Sequence, residues 1–141
     1  MFTISKEFHF SASHILRGLP SDHPCTRMHG HNYKVKVTIY AENLVEPGFV
    51  IDYRDLDPFK EYLDSTFDHR HLNHVLYRED DEDLNPTAEI LARLFFYVVR
   101  DGEVGSKLEL LHGTMPTIEV GVSETDKTWA YYTEVPDAPA A

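Results

Sequence analysis

At 141 residues, 42% hydrophobic and 26% charged, the chain has the length of one domain and too many core-forming side chains for a disordered one. Its net charge of −11 with neutral histidines and its lack of any basic cluster argue against DNA or RNA binding, which needs cations to displace phosphate counterions. No apolar run reaches the ~20 residues of a membrane span, the N-terminus has no signal-peptide pattern, and a single cysteine permits no intramolecular disulfide, so a cytoplasmic location is expected.

The first element in chain order alternates Phe2, Ile4, Phe8 and Phe10 against polar partners, which predicts a strand with one buried face. Residues 11–28, with Gly18, Pro20, Asp22 and Pro24, read as a loop carrying His14 and Cys25. From His29 the odd positions run His29, His31, Tyr33, Val35, Val37 and Ile39. That parity predicts a second strand whose apolar face begins with two histidines, projecting on the same side. Together with His14 they give three imidazoles, the ligand count of a catalytic zinc site with an open fourth position. Imidazole also suits copper, iron and nickel.

Cys25 lies four residues before His29, in a polar turn beside Arg27. Positive neighbours favour the thiolate, which could ligate the metal, attack a substrate or remove a proton. A short apolar piece, Gly48 to Asp52, leads into a first helix with Leu56, Phe59, Leu63 and Phe67 on one stripe and Pro58 in its opening turn. Asp68-His69 follows directly: His69 could act as a general base with Asp68 orienting it. Neighbours on an extended chain point apart, so a direct bond between them requires a local bend.

The acidic run from Arg78 to Asp83 reads as a solvated connection. Asn85-Pro86 is expected to cap and open a second helix, with Leu91, Leu94, Phe95 and Val98 on one stripe and Asp101-Gly102 as its stop. Two strands follow, over 117–124 and 128–135. Parity along Ile118, Val120 and Val122 places Glu124 at the end of the apolar face, where a carboxylate needs strong partners. It could accept two parallel N–H donors from a flat aminoheterocycle. The remaining histidines, His9, His23, His71, His74 and His112, read as ordinary core or surface residues. The order is β-β-α-α-β-β: an α+β single domain over 1–135, a four-stranded antiparallel sheet with two helices on one face, and a disordered tail at 136–141. Open sheet edges favour a homo-oligomer.

These residues resemble the 6-pyruvoyl-tetrahydropterin synthase family, and within it the bacterial 6-carboxy-tetrahydropterin synthases. The resemblance spans about Phe8 to Tyr132. It is carried by Phe10-Ser-Ala-Ser-His14, Cys25-x3-His29-Gly-His31-Asn-Tyr33, Gly48-Phe-Val-Ile-Asp-Tyr53, Asp68-His69-x2-Leu72-Asn73, Asn85-Pro-Thr-Ala-Glu89 and Val122-Ser-Glu-Thr125. It implies a tunnelling fold whose subunits join sheets into a barrel, commonly a hexamer of two trimers with active sites at subunit interfaces. It implies His14, His29 and His31 as Zn2+ ligands, Cys25, Asp68 and His69 as catalytic residues, and Glu124 as the pterin anchor. Thr87 and Glu89 match a helix-start motif near the pterin pocket, although helix capping alone explains Thr87.

The reaction implied is conversion of 7,8-dihydroneopterin triphosphate to 6-carboxy-5,6,7,8-tetrahydropterin, acetaldehyde and triphosphate, on the way to 7-deazaguanines such as queuosine. Arg27, Lys34 and Arg54 are the candidates for contacting the triphosphate. The short gap from Cys25 to His29 resembles the carboxy-forming branch. The alternatives are the 6-pyruvoyl product, a pterin- or purine-binding module without catalysis, and a module that only holds metal.

Overall fold

A computed structural model describes residues 1–79 and 84–135 of the chain. Most of the expected acidic connection and the whole expected tail at 136–141 lie outside the described residues. The elements are β1 (Phe2–His14), β2 (His29–Ala41), α1 (Asp57–Thr66), β3 (Arg70–His71), α2 (Leu72–Val75), α3 (Ala88–Asp101), α4 (Glu103–His112), β4 (Thr117–Thr125) and β5 (Thr128–Thr133). No helix among them is long and apolar enough to cross a membrane.

The sheet order is β3-β1-β2-β4-β5. It is mixed rather than the expected four-stranded antiparallel sheet: β1 pairs in parallel with the two-residue β3, and every other pair is antiparallel. Two residues carry no periodicity, which is why β3 leaves no trace in the sequence pattern. β1 also runs four residues past the expected Phe10, through Ser11, Ala12, Ser13 and His14. Serine and alanine are poor strand formers, yet pairing with β2 overrides that preference, so His14 sits on a strand end and not in a loop.

One face of the sheet is apolar. Phe8, Phe10, Tyr33, Val35, Val37, Ile39, Ile118, Val120 and Val122 are buried there against Phe59, Leu63, Phe67, Leu91 and Phe95 of the helical layer. The Phe10 and Tyr33 rings stack at 4.7 Å, and Phe10 meets Phe67 and Phe95 edge-on. Among the described residues the helical layer holds four α-helices where two were expected. α2 is a single turn, and α4 follows α3 after only Gly102. With a glycine and a serine near its start, α4 has weak helix propensity of its own and forms by packing on α3.

The α3–α4 elbow depends on Gly105. A Cβ there would stand 1.7 Å from the Arg100 carbonyl oxygen, an overlap that backbone must move to relieve. Gly105→Ala is therefore expected to cost about 3 kcal/mol, read as a thermal midpoint lowered by about 10 °C. An unchanged midpoint would mean that the elbow is open in solution.

Candidate metal centre and catalytic groups

The β1–β2 register builds the candidate metal centre. His14 pairs directly with His29, and Ala12 with His31, so the three inward imidazoles are cross-strand and diagonal neighbours. Their ring nitrogens converge: His14 Nε2 lies 2.9 Å from His29 Nε2 and 3.1 Å from His31 Nε2. Among the described residues this is the single group of three or more His, Cys, Asp or Glu able to hold a metal ion.

Hydrogen bonding settles which nitrogen faces the centre. His14 Nδ1 lies 2.8 Å from the Pro86 carbonyl oxygen and His29 Nδ1 lies 2.7 Å from the Arg27 carbonyl oxygen. A carbonyl only accepts, so both Nδ1 atoms carry the proton and both Nε2 atoms are bare lone pairs when neutral. Two bare lone pairs 2.9 Å apart repel unless a cation stands between them. Two metal–nitrogen bonds of about 2.0 Å at a tetrahedral angle need a separation of roughly 3.3 Å, so the residues fit a metal ion closely. Burial lowers the proton affinity of His14 and His31. The neighbouring imidazoles add to that effect, and the Pro86 carbonyl and Glu124 oppose it at His14. Burial thus favours the neutral, metal-ready form. Tyr33, fully buried, places its hydroxyl 3.1 Å from His14 Nδ1.

Glu124, on β4, brings Oε2 to 3.8 Å from His31 Nε2. Burial raises its proton affinity, with Glu89 reinforcing the shift and His14 and His29 opposing it. Cys25 occupies a one-turn 3-10 helix, Pro24–Thr26, whose N-terminus is capped by His23 Nδ1 accepting from the Cys25 N–H at 3.1 Å. Its thiol is half-exposed and is not part of the three-histidine group.

Asp68 and His69 do bond directly, Oδ2 to Nδ1 at 2.9 Å. The local bend this requires is present: His69 has φ of 58°, the left-handed region that a side chain disfavours. Ser11 holds the bend, its N–H donating to Asp68 Oδ1 at 2.9 Å and its carbonyl accepting from the His69 N–H at 2.6 Å. The Ser11 N–H and the His69 imidazole both hold the Asp68 carboxyl below the usual carboxylate range. The His69 side chain is 84% exposed. It borders a shallow groove of about 490 Å³ shared with Ser11, Ser13, His31, Asn32 and His71. Ser11 and His14 are three residues apart on β1, about 10 Å.

The other anticipated residues have local duties. Thr87 is the N-cap of α3, its hydroxyl accepting from the Ile90 N–H at 3.2 Å, so Asn85-Pro86 does not cap the helix. Arg27 acts on the site through its carbonyl. Lys34 pairs with Asp126 at 3.3 Å and Arg54 with Asp52 at 2.9 Å. Tyr33, Ser11 and Pro86 escaped the sequence reading: Tyr33 reads as core by parity, and the other two act through backbone or contacts that no pattern encodes.

The 6-pyruvoyl tetrahydropterin synthase family model matches residues 3–135. A 6-carboxy-5,6,7,8-tetrahydropterin synthase of Bacillus subtilis is 30% identical over 132 residues, 93% of this chain and 84% of the relative. A putative 6-carboxy-5,6,7,8-tetrahydropterin synthase of Archaeoglobus fulgidus is 30% identical over 122 residues, 86% of both chains. The solved structure of Caenorhabditis elegans 6-pyruvoyl tetrahydropterin synthase superposes with a TM-score of 0.68 at 26% identity, covering 95% of this chain and 96% of that one.

Proposed function

Because the chain belongs to the 6-pyruvoyl tetrahydropterin synthase family, we propose that it is a zinc-dependent carbon–carbon lyase. It converts 7,8-dihydroneopterin triphosphate to 6-carboxy-5,6,7,8-tetrahydropterin, acetaldehyde and triphosphate, a step toward 7-deazaguanines such as queuosine. The observation that carries this reading is the convergence of three Nε2 atoms at the head of the β1–β2 pair, in a chain whose curated relatives bear the carboxy-forming name.

His14, His29 and His31 would hold the ion through Nε2 and leave its fourth position to substrate. When bound, zinc supplies a Lewis acid that acidifies the carbon beside the substrate's side-chain hydroxyls. Glu124 accepts the amino group and adjacent ring N–H of the pterin, which turns the side chain toward the histidines. Cys25 takes or returns protons at that side chain. Asp68 holds the His69 Nδ1–H, which leaves Nε2 as the atom that exchanges a proton. Arg27 and the α3 start at Thr87 are further candidates for contacts with substrate.

The exposure of His69 supports a homo-oligomer in which a second copy closes the site. β3 and the Asp68–His69 bend cover only Ser11, Ala12 and Ser13 of β1, so the stretch before them presents an edge with no strand partner among the described residues, which copies of the chain could share.

Product analysis tests the function directly. Zinc-loaded protein supplied with 7,8-dihydroneopterin triphosphate is expected to yield acetaldehyde and the mass of a 6-carboxy pterin. Triphosphate release with a pyruvoyl side chain retained would move it to the other branch of the family. Pterin bound without turnover would leave a binding module.

A further inference from the structure

β2 stops pairing with β1 at His14, yet the next three residues are held as firmly as a strand. The Ile15 N–H donates to Asn73 Oδ1 at 2.8 Å, and the Ile15 carbonyl accepts from Asn73 Nδ2 at 2.9 Å. The Arg17 N–H donates to Asn85 Oδ1 at 3.0 Å, and the Arg17 carbonyl accepts from Asn85 Nδ2 at 2.8 Å. Each asparagine thus satisfies both backbone groups of one residue, as a neighbouring strand would. Because each amide both donates and accepts, its orientation is set without ambiguity.

Backbone groups of alternate residues in an extended chain point to opposite edges. Ile15 and Arg17 therefore face the two asparagines, and Leu16 faces the other way. The Leu16 N–H donates to the Cys25 carbonyl at 2.9 Å. The chain of contacts runs from two amide side chains, through three backbone residues, to the residue that bears the thiol. The two clamps also start from the other parts of the site. Asn73 lies four residues after His69, and Asn85 precedes Pro86, whose carbonyl orients His14.

We propose that Asn73 and Asn85 are positioning residues of the reaction, setting the place of Cys25 relative to the three histidines and the Asp68–His69 pair. This rests on the reading of Cys25 as a proton-transfer group. Neither asparagine is buried in the core, so replacing it opens no apolar cavity, and the hydrogen bonds of both run to backbone and not to a candidate metal ligand.

The test uses Asn73→Asp and Asn85→Asp, which keep shape and the acceptor but put a carboxylate oxygen against a carbonyl. Each metal-loaded variant is measured for kcat, KM, metal content, thermal midpoint and the rate of Cys25 alkylation by iodoacetamide at one pH. The expected result is a fall in kcat of about 10- to 100-fold, KM and metal content as in the unaltered protein, a midpoint lower by only about 3–6 °C, and a changed alkylation rate. Unaltered alkylation and kcat in both variants would overturn the proposal, as would activity that falls only in step with lost metal. Cys25→Ala separates the two readings. If it turns over normally, the thiol's role fails, while alkylation in the asparagine variants still shows whether the clamps set the loop.

Discussion

Replacing His14 with alanine is expected to abolish metal binding, leaving the purified protein with a small fraction of the metal that the unaltered chain retains through dialysis. His14 is fully buried at the centre of the group, within 3.1 Å of both other Nε2 atoms. Removing it takes away one of three ligands and also empties the hydrogen bond from Nδ1 to the Pro86 carbonyl. Losing an outer-shell partner alone typically weakens a metal site about 10- to 100-fold; losing the ligand itself should weaken binding by at least about 100-fold, with turnover lost in parallel. Metal content by elemental analysis, beside a circular-dichroism spectrum to confirm folding, decides the matter. His31→Ala is the companion variant, because the His31 side chain keeps 18% of its surface exposed where His14 has none, and its removal disturbs the core less. Stoichiometric metal in a folded His31→Ala or His14→Ala protein would show that the ion sits elsewhere.

Cys25→Ala is expected to give the opposite combination: full metal content with turnover reduced by about 100- to 10,000-fold, the span associated with a positioned acid–base group. The thiol stands apart from the three-histidine group, in a turn of its own. Its backbone is tied to Leu16, and its N–H to His23, contacts that alanine preserves. The variant should therefore fold and load normally and fail only in chemistry. Loss of metal together with activity would make Cys25 a ligand and end its assignment as a proton-transfer group.

Parity did most of the work in reading the site. On β2 the alternation that buries Tyr33, Val35, Val37 and Ile39 also carries His29 and His31 inward, and this is visible in the residues alone. His14 was harder, since Ser-Ala-Ser is a weak strand signal and nothing local reveals that the segment pairs with Asn32, His31 and Gly30. The bend at His69 depends on Ser11, 58 residues away from His69 in the chain. β3 and α2 are too short for any period, and α4 follows an apparent helix stop with glycine and serine in its first turns. Glu124 lay where its parity predicted, near His31. Cap preferences alone could not choose between Asn85 and Thr87; the amide of Asn85 is spent on Arg17, and the hydroxyl of Thr87 is left to the helix.

The direct pairing of His14 with His29 bears on folding as well as chemistry. Sliding β2 by a single residue would turn His29 and His31 to the open face of the sheet and leave His14 facing glycine. A misregistered hairpin of this kind has no three-imidazole centre, so a metal ion held by the three histidines would select the correct alignment. Its binding energy would then be added to the native pairing alone. An ion held by the three imidazoles would thus favour this strand register over its neighbours.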